Sequence, residues 1–575
     1  MPSDTLASTH ALGVELSDEM DPSSNKDNQQ VSNQYMRMDQ AQVTFGLNSA
    51  HSEGSELFMS PQAQLIGTFE LVELIFSFFD SPIEVKGSRK TLLNAALTCK
   101  AFFNPAMDIL WSSIDSWTAL LKLIPKVQYL PSGGMRTNLF TTTDVLDEDD
   151  LQRLCLYSQR VKCIRFSNFT EFVSTHIYSS IKHLSPNNIF PNLAKLHIDD
   201  IGGLYMDNLN GLSIIPSPSL FSLHIGGITP PTEAKYISDV TLLGQFSNII
   251  LKRLADFTML EILFLQIQTA ALDIDFILET CSTLTKLKHF TLSLNAQLSM
   301  TNAHSKRPFV FDALQKVLLS GSAFCISYVL QVMRSVKLEK VGLNILILGS
   351  GGSPISIKEC FERCSRRDFT PCLRSVEIRA DRTVPIHWEN LKQPWRKLRH
   401  FKSQVDCLSE SKINELLRSG SWERLRTLKL EICRVNSGES GLWLYDLVVF
   451  AQNCPALQTL AISLSKIVHG PEDIQVLESC FSENELWSNH GLENLEILPM
   501  ALYPNDLANG VFNNTMKDAL VVSRFIFELF CDIRQLTFSG PTNMWFQGVN
   551  AMVDNYRAIR AKYNHGYELY SIQHQ

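Results

Sequence analysis

"LEILFLQIQTAALDIDFILETCSTLTKLKHFTLSL", Leu260 to Leu294, holds one structural unit and the opening of the next. Its first phrase, "LEILFL", is an apolar residue, two variable ones, an apolar residue, one variable and an apolar residue. "DIDFILETCSTL" then has helical spacing, and a new phrase, "LKHFTL", begins at Leu287. A short strand followed by a helix explains the change of period from two to 3.6.

Outward from this stretch the phrase returns along most of the chain. It reads "VKCIRF" (161), "LAKLHI" (193), "LFSLHI" (220), "LQKVLL" (314), "LEKVGL" (338), "LRSVEI" (373), "LRTLKL" (425), "LQTLAI" (457), "LENLEI" (492) and "IRQLTF" (533), with a looser copy, "LRHFKS", at Leu398. An interval of 27 residues separates the starts at 193 and 220, at 260, 287 and 314, and at 398 and 425. Chance apolar clustering would favour no one interval. In "LRTLKL", Leu428 and Leu430 share a strand face and point inward, while Thr427, Lys429 and Glu431 point outward. Stacking such units in parallel buries one continuous core that no single unit could form.

The phrase resembles that of leucine-rich repeats, L-x-x-L-x-L-x-x-N/C, over about 150 to 540. The resemblance implies an α/β solenoid with parallel strands on a concave face and helices on the convex one. Only Asn295 and Cys433 fill the position that usually carries the buried Asn or Cys; Ile201, Ile228, Gln268, Leu346 and Asp381 stand there elsewhere. An irregular solenoid is expected.

Composition bounds the partners. The 575 residues are 45% hydrophobic and 19% charged, with a net charge of -8. Residues 1–63 alone hold nine acidic residues against Lys26 and Arg37. They are rich in Ser, Asp, Asn and Gln, and are expected to be a disordered acidic tail. The remainder is nearly neutral, which gives no overall electrostatic footprint for nucleic acid or an anionic membrane. The chain lacks a signal-peptide pattern and a membrane-length apolar run, and its thirteen scattered cysteines suit reduced core thiols. A cytoplasmic or nuclear location is expected.

Ahead of the repeats, "FELVELIFSFFDSPIEVKGSRKTLLNAALTCKAFFNPAMDILW" packs three apolar bursts into a short module, 64–126 with its helical continuation. Leu71, Leu74, Ile75, Phe78 and Phe79 fall on one stripe of an amphipathic helix. Leu93, Ala96, Leu97 and Lys100 repeat the spacing, and Asn104 with Pro105 reads as the start of a third helix. So small a unit with two aromatic-rich faces suggests that a partner covers part of its apolar surface. The segment 127–150 reads as a linker, and 546–575 as a C-terminal helix and tail.

These residues resemble an F-box, whose pattern runs roughly LPxEILxEIFSYLD, LxxLxxVCKxW and a closing LW. By resemblance Glu70 and Leu71 match the E-[IL] pair, Ile75 to Asp80 the IFSYLD run, Cys99 and Lys100 the CK pair, Phe102 the aromatic position, and Leu110 and Trp111 the closing pair. Gly67, Thr68 and Phe69 stand where the usual proline would be, and the loop Ser81 to Thr91 is longer than in the compact pattern. The resemblance implies a substrate-recruiting adaptor of a cullin-RING ubiquitin ligase. Its contacts to a Skp-type protein would come from Glu70, Leu71, Leu74, Ile75, Phe78, Phe79, Leu97, Cys99, Lys100, Phe102, Leu110 and Trp111. The alternative is a ligase-independent scaffold whose helices only cap the first repeat. Burial of Ile75, Phe78 and Trp111 against the chain's own repeats would favour that cap.

A protein substrate is expected on the outward strand positions Lys195, His197, Asp199, His224, His289, Glu377, Arg379, His400, Lys402, Lys429 and Glu431. Other motifs fall short of chemistry. "LNILILGSGGSP" lacks the third small residue of a dinucleotide loop, having Pro354 there. Cys360, Cys364 and Cys372 have no second paired half for zinc, and no G-x-S-x-G elbow is present. No enzyme activity, cofactor or metal is expected.

Overall fold

The computed structural model describes residues 69–78, 86–131, 138–166, 171–185, 189–199, 215, 217–228, 251–267, 274–294, 307–346, 359–360, 362–364, 372–380, 397–405, 413, 415, 417, 422–432, 442–464, 471–483, 490–498, 516–538 and 544–573. The acidic segment 1–63, the glycines at 349 and 351, and Asn295 and Cys433 lie outside them.

All thirteen apolar phrases become strands. They are β4 (Cys163–Phe166), β6 (Lys195–Ile198), β7 (Ser222–Ile228), β8 (Ile262–Ile267), β9 (His289–Leu294), β11 (Lys316–Gly321), β13 (Lys340–Ile345), β14 (Ser375–Ala380), β15 (His400–Val405), β16 (Thr427–Ile432), β17 (Thr459–Ser463), β18 (Asn494–Leu498) and β19 (Gln535–Phe538). With β1 (Ser113–Ile114) they form one parallel sheet of fourteen strands, laid down in chain order. At roughly 4.8 Å per strand the sheet runs about 60 Å from end to end.

Alternation builds the core. The second residue of each strand points inward, so Leu263, Phe290, Val317, Val341, Val376, Phe401, Leu428, Leu460 and Leu495 stack on neighbouring strands as one buried row. The leucine that opens each phrase, such as Leu314, Leu338, Leu425 or Leu457, is fully buried where the chain enters the strand. Parallel neighbours need a crossover, and helices supply several of them. Among these, α8 (Ile274–Ser282) buries Ile274, Ile277, Leu278 and Cys281, and α9 (Ala323–Val332) starts on Ser322, whose hydroxyl accepts from the amide of Cys325. Gly321, before that cap, has φ of 151°, and a Cβ there would lie 2.6 Å from the Leu294 carbonyl oxygen. The close turn therefore requires glycine.

Among the described residues, three helices precede the sheet: α1 (Phe69–Ser77), α2 (Lys86–Thr98) and α3 (Lys100–Ser112). The expected start of the third helix at Asn104 is corrected. α3 begins at Lys100 because Cys99 adopts an extended conformation and breaks the second burst, so Pro105 sits inside the helix. α3 runs directly into β1, which pairs with β4, and the Lys162 amide donates to the Ser112 carbonyl at 2.8 Å. The module is thus built onto the first repeat.

The linker reading of 127–150 is also corrected. β2 (Val127–Pro131) and β3 (Asn138–Thr142) pair antiparallel, and β3 continues into a parallel pair with β5 (Glu171–Val173). The Phe140 ring, fully buried, lies 5.4 Å from Tyr129. Asp147 then caps α5 (Glu148–Ser158) in a reciprocal capping box with Asp150, three residues before the expected domain start. Lys126 bonds to Asp147, which holds the Asp147 carboxyl down at about 2. At the far end, α12 (Met516–Leu529) and α13 (Met544–Gln573) pack together, and α13 also contacts β19.

Candidate functional site

Two surfaces stand out, one on the helical module and one on the sheet. On α1, Val72 and Phe76 point inward, where the Phe76 ring meets Phe102 edge-on at 5.5 Å. The residues expected on the partner side lie opposite and in solvent: Leu71 is 39% exposed, Leu74 57%, Ile75 48% and Phe78 78%. Leu97, 58% exposed, extends this face onto α2, whose Leu92, Leu93 and Ala96 are buried. A cavity of about 140 Å³ between α1 and α2 is lined by Val72, Ile75, Phe76, Leu92, Ala95 and Phe102 among others. It is apolar and opens beside the stripe. Covering the five exposed side chains would contribute on the order of 5 kcal/mol before association costs are met.

The other expected contact residues divide. Lys100 is exposed, Cys99 half-buried at the break between helices, and Phe102 half-buried against Phe76. Glu70 lies in the first turn of α1, its side chain outside the described residues, as is Phe79. Leu110 and Trp111 are corrected: both are buried, Trp111 to 4% exposure, with its ring 5.0 Å from Tyr157 of α5. They face inward because β1 draws the end of α3 onto the first repeat. Arg160 clamps the same helix through Asp108 and Asn104. The module therefore does two things at once, covering the start of the solenoid with α3 and presenting α1 outward.

On the sheet, parity places the expected set on the exposed face. Arg165, His197, His224 and Phe264 are register neighbours on β4, β6, β7 and β8. The imidazoles stack at 5.5 Å, and His224 lies flat on Phe264 at 3.9 Å. Half-burial depresses the pKa of both histidines, and nearby Arg165 pushes the same way. Asp199 pairs with Arg165 at 3.3 Å, and Lys195 lies over Phe221. Four strands on from Phe264, Glu377, Lys402 and Lys429 continue the same row, with Glu496 beyond Ala461. Lys402 lies 3.6 Å from Glu377 and 3.8 Å from Glu431, while Lys429 lies 3.5 Å from Glu431 and 3.6 Å from Glu496. Arg379 completes the net by bonding Glu377 at 2.8 Å. Three cations and three carboxylates here neutralise one another.

His289 and His400 open their strands at the exposed edge of this face. The sequence reading passed over Phe264, Arg165, Glu496 and the cations beside these histidines. Their strand parity marks them as outward, but Phe264 reads as one more apolar residue of its phrase. Cys360 and Cys364 are buried, the first donating to the Ala323 carbonyl at 3.1 Å; burial pushes the Cys364 thiol up to about 12. Such thiols are core packing groups.

Fold and surfaces together define a parallel α/β solenoid with a helical module fused to its first strand. The chain matches no family model, and no curated protein matches it. Among solved structures, a chain in the crystal structure of the Rad7 and Elc1 complex in yeast is similar at 16% identity and a TM-score of 0.31, over 78% of this chain and 94% of that one.

Proposed function

We propose that the chain is the substrate-recruiting adaptor of a cullin-RING ubiquitin ligase, acting in the cytoplasm or nucleus. Its α1 face would dock a Skp-type protein, and its repeats would hold a protein substrate. The chain would do no bond chemistry itself. Holding substrate lysines beside a ubiquitin-loaded enzyme raises their effective concentration, and proximity supplies the rate.

The observation that carries this reading is the two-sided α1. A helix whose only task was to cap the repeats would turn its largest apolar residues inward, yet Leu74, Ile75 and Phe78 project into solvent from a helix anchored by Val72 and Phe76. The F-box resemblance assigns the same outward residues to the partner. The cap reading is favoured only by α3, where Trp111 packs on Tyr157.

Co-purification with a Skp-type adaptor tests the proposal. Wild-type chain is expected to retain the adaptor, and Leu74→Asp with Ile75→Asp to lose it while the repeats stay folded. Unchanged capture by that double variant overturns the docking model.

A further inference from the structure

We propose that the solenoid binds an acidic peptide segment along a cationic ladder at the N-terminal ends of its central strands. The residue that enters each strand is hydrogen-bonded, backbone to backbone, to its counterpart on the strand before. The Arg399 amide donates to the Arg374 carbonyl at 2.7 Å, and the Arg426 amide to the Arg399 carbonyl at 2.8 Å. Three arginines therefore stand on three successive strands, about 4.8 Å apart. One residue further in, Lys316 and Lys340 are direct register partners on β11 and β13. His289 is the register neighbour of Lys316, and His400 lies in the same row beyond Ser375.

Like charges on adjacent strands cost folding free energy. Elsewhere on this sheet the cost is cancelled, as in the balanced net around Lys402 and Lys429. Here, among the described residues, Arg374 has only Glu339, at 3.8 Å. Among the described residues no carboxylate lies within 4 Å of Lys316, Lys340, Arg399 or Arg426, and all four are exposed or half-exposed. Burial first, and then the neighbouring Arg399, Arg426 and Lys340, hold the His400 pKa below its ordinary value.

The complementary ligand is anionic, and the dimensions favour a peptide. The cations span five strands from β11 to β16, roughly 19 Å, which an extended peptide covers in about six residues. A long nucleic acid would extend past this patch onto a surface that is close to neutral overall and offers its further phosphates no matching row of cations. This inference rests on the repeats being the recognition surface of the proposed adaptor, and names the class of substrate segment they take.

The test uses full-length chain and a fluorescent, unstructured peptide of roughly twelve residues rich in Glu and Asp, beside its Gln/Asn twin. Anisotropy should show salt-sensitive binding of the acidic peptide only. Arg399→Glu with Arg426→Glu should weaken it by at least about tenfold, and Lys316→Glu with Lys340→Glu should weaken it likewise. Arg153→Glu with Lys182→Glu, on helices away from the ladder, should leave it unchanged, with all variants melting as wild type does. Equal binding of the two peptides, indifference to both ladder reversals, or tighter ladder-dependent binding of a single-stranded oligonucleotide would overturn the proposal. The Leu74→Asp and Ile75→Asp chain should still bind the peptide, so loss of adaptor capture and loss of peptide binding report separate failures.

Discussion

His490 shows how one buried polar residue couples this fold to pH. Its ring is 7% exposed, Nε2 meets the Cys454 carbonyl at 2.8 Å, and the ring sits edge-on to Phe530 at 5.3 Å. Nδ1 is buried with no hydrogen-bond partner among the described residues, which suits the neutral tautomer that keeps its proton on Nε2. Burial depresses the pKa, against a smaller opposing pull from the Cys454 carbonyl and Asp532. The unfolded chain then takes up protons below about pH 6.5 that the folded chain still refuses, so stability falls as pH drops through that value. His197, His224, His289 and His400 are depressed in the same direction and add to the slope. Thermal melts at about pH 7.5 and about pH 5.5 should show a lower Tm in acid. His490→Gln, whose amide can still donate to Cys454, should shrink that difference; an unaltered difference would remove His490 from the account.

At the scale of the element, α1 separates folding from display within nine residues. Phe76, packed on Phe102, is the inner anchor, and Phe76→Ala should destabilise the module by about 3–5 kcal/mol. Leu74→Ala, on the exposed side, should stay within about 0.5 kcal/mol of wild type in chemical denaturation. Equal costs at the two positions would mean that α1 has no free face. This division was only half legible in sequence. Leu71, Leu74, Ile75 and Phe78 announce an apolar stripe by their spacing, but spacing alone does not say whether that stripe meets the chain or a partner. Val72 and Phe76 reveal the answer because they are the buried residues of α1 among those described, at 2% and 5% exposure. The strands were legible for the opposite reason: two-residue parity fixes the inward face wherever neighbours pair in register, even in the weak phrase at Leu398. β1 carried no such phrase, being only Ser113 and Ile114. Missing it hid the reason that Trp111 turns inward. The β2–β3 pair was hidden because the segment between them, 132–137, has the Ser and Gly composition of a linker, although Tyr129 and Phe140 pack together on the two strands.

For the whole molecule, a sheet laid down in chain order has two open ends, and each must be covered. At the start, α3 and Trp111 do this. At the other end β19 is an edge strand whose Leu536 and Phe538 remain half-exposed even in the intact chain. α13 covers that edge: Phe546 stacks on Phe538 at 4.5 Å, Val549 and Val553 are fully buried, and Arg557 donates to the Arg534 carbonyl at 2.8 Å. Each buried valine represents about 1.5–3 kcal/mol of apolar transfer, and stability in a solenoid passes from each repeat to its neighbour. Deleting 544–575 should therefore loosen the last repeats before the first. It should also leave β19 open to pair with a second chain. Hydrogen exchange should show protection lost over β18, α12 and β19 while β8 to β11 keep theirs, and light scattering should show self-association that grows with concentration. A truncated chain that stays monomeric with undiminished protection in β19 would show that the final strand needs no cap, and would move α13 from the stability of the fold to its display surfaces.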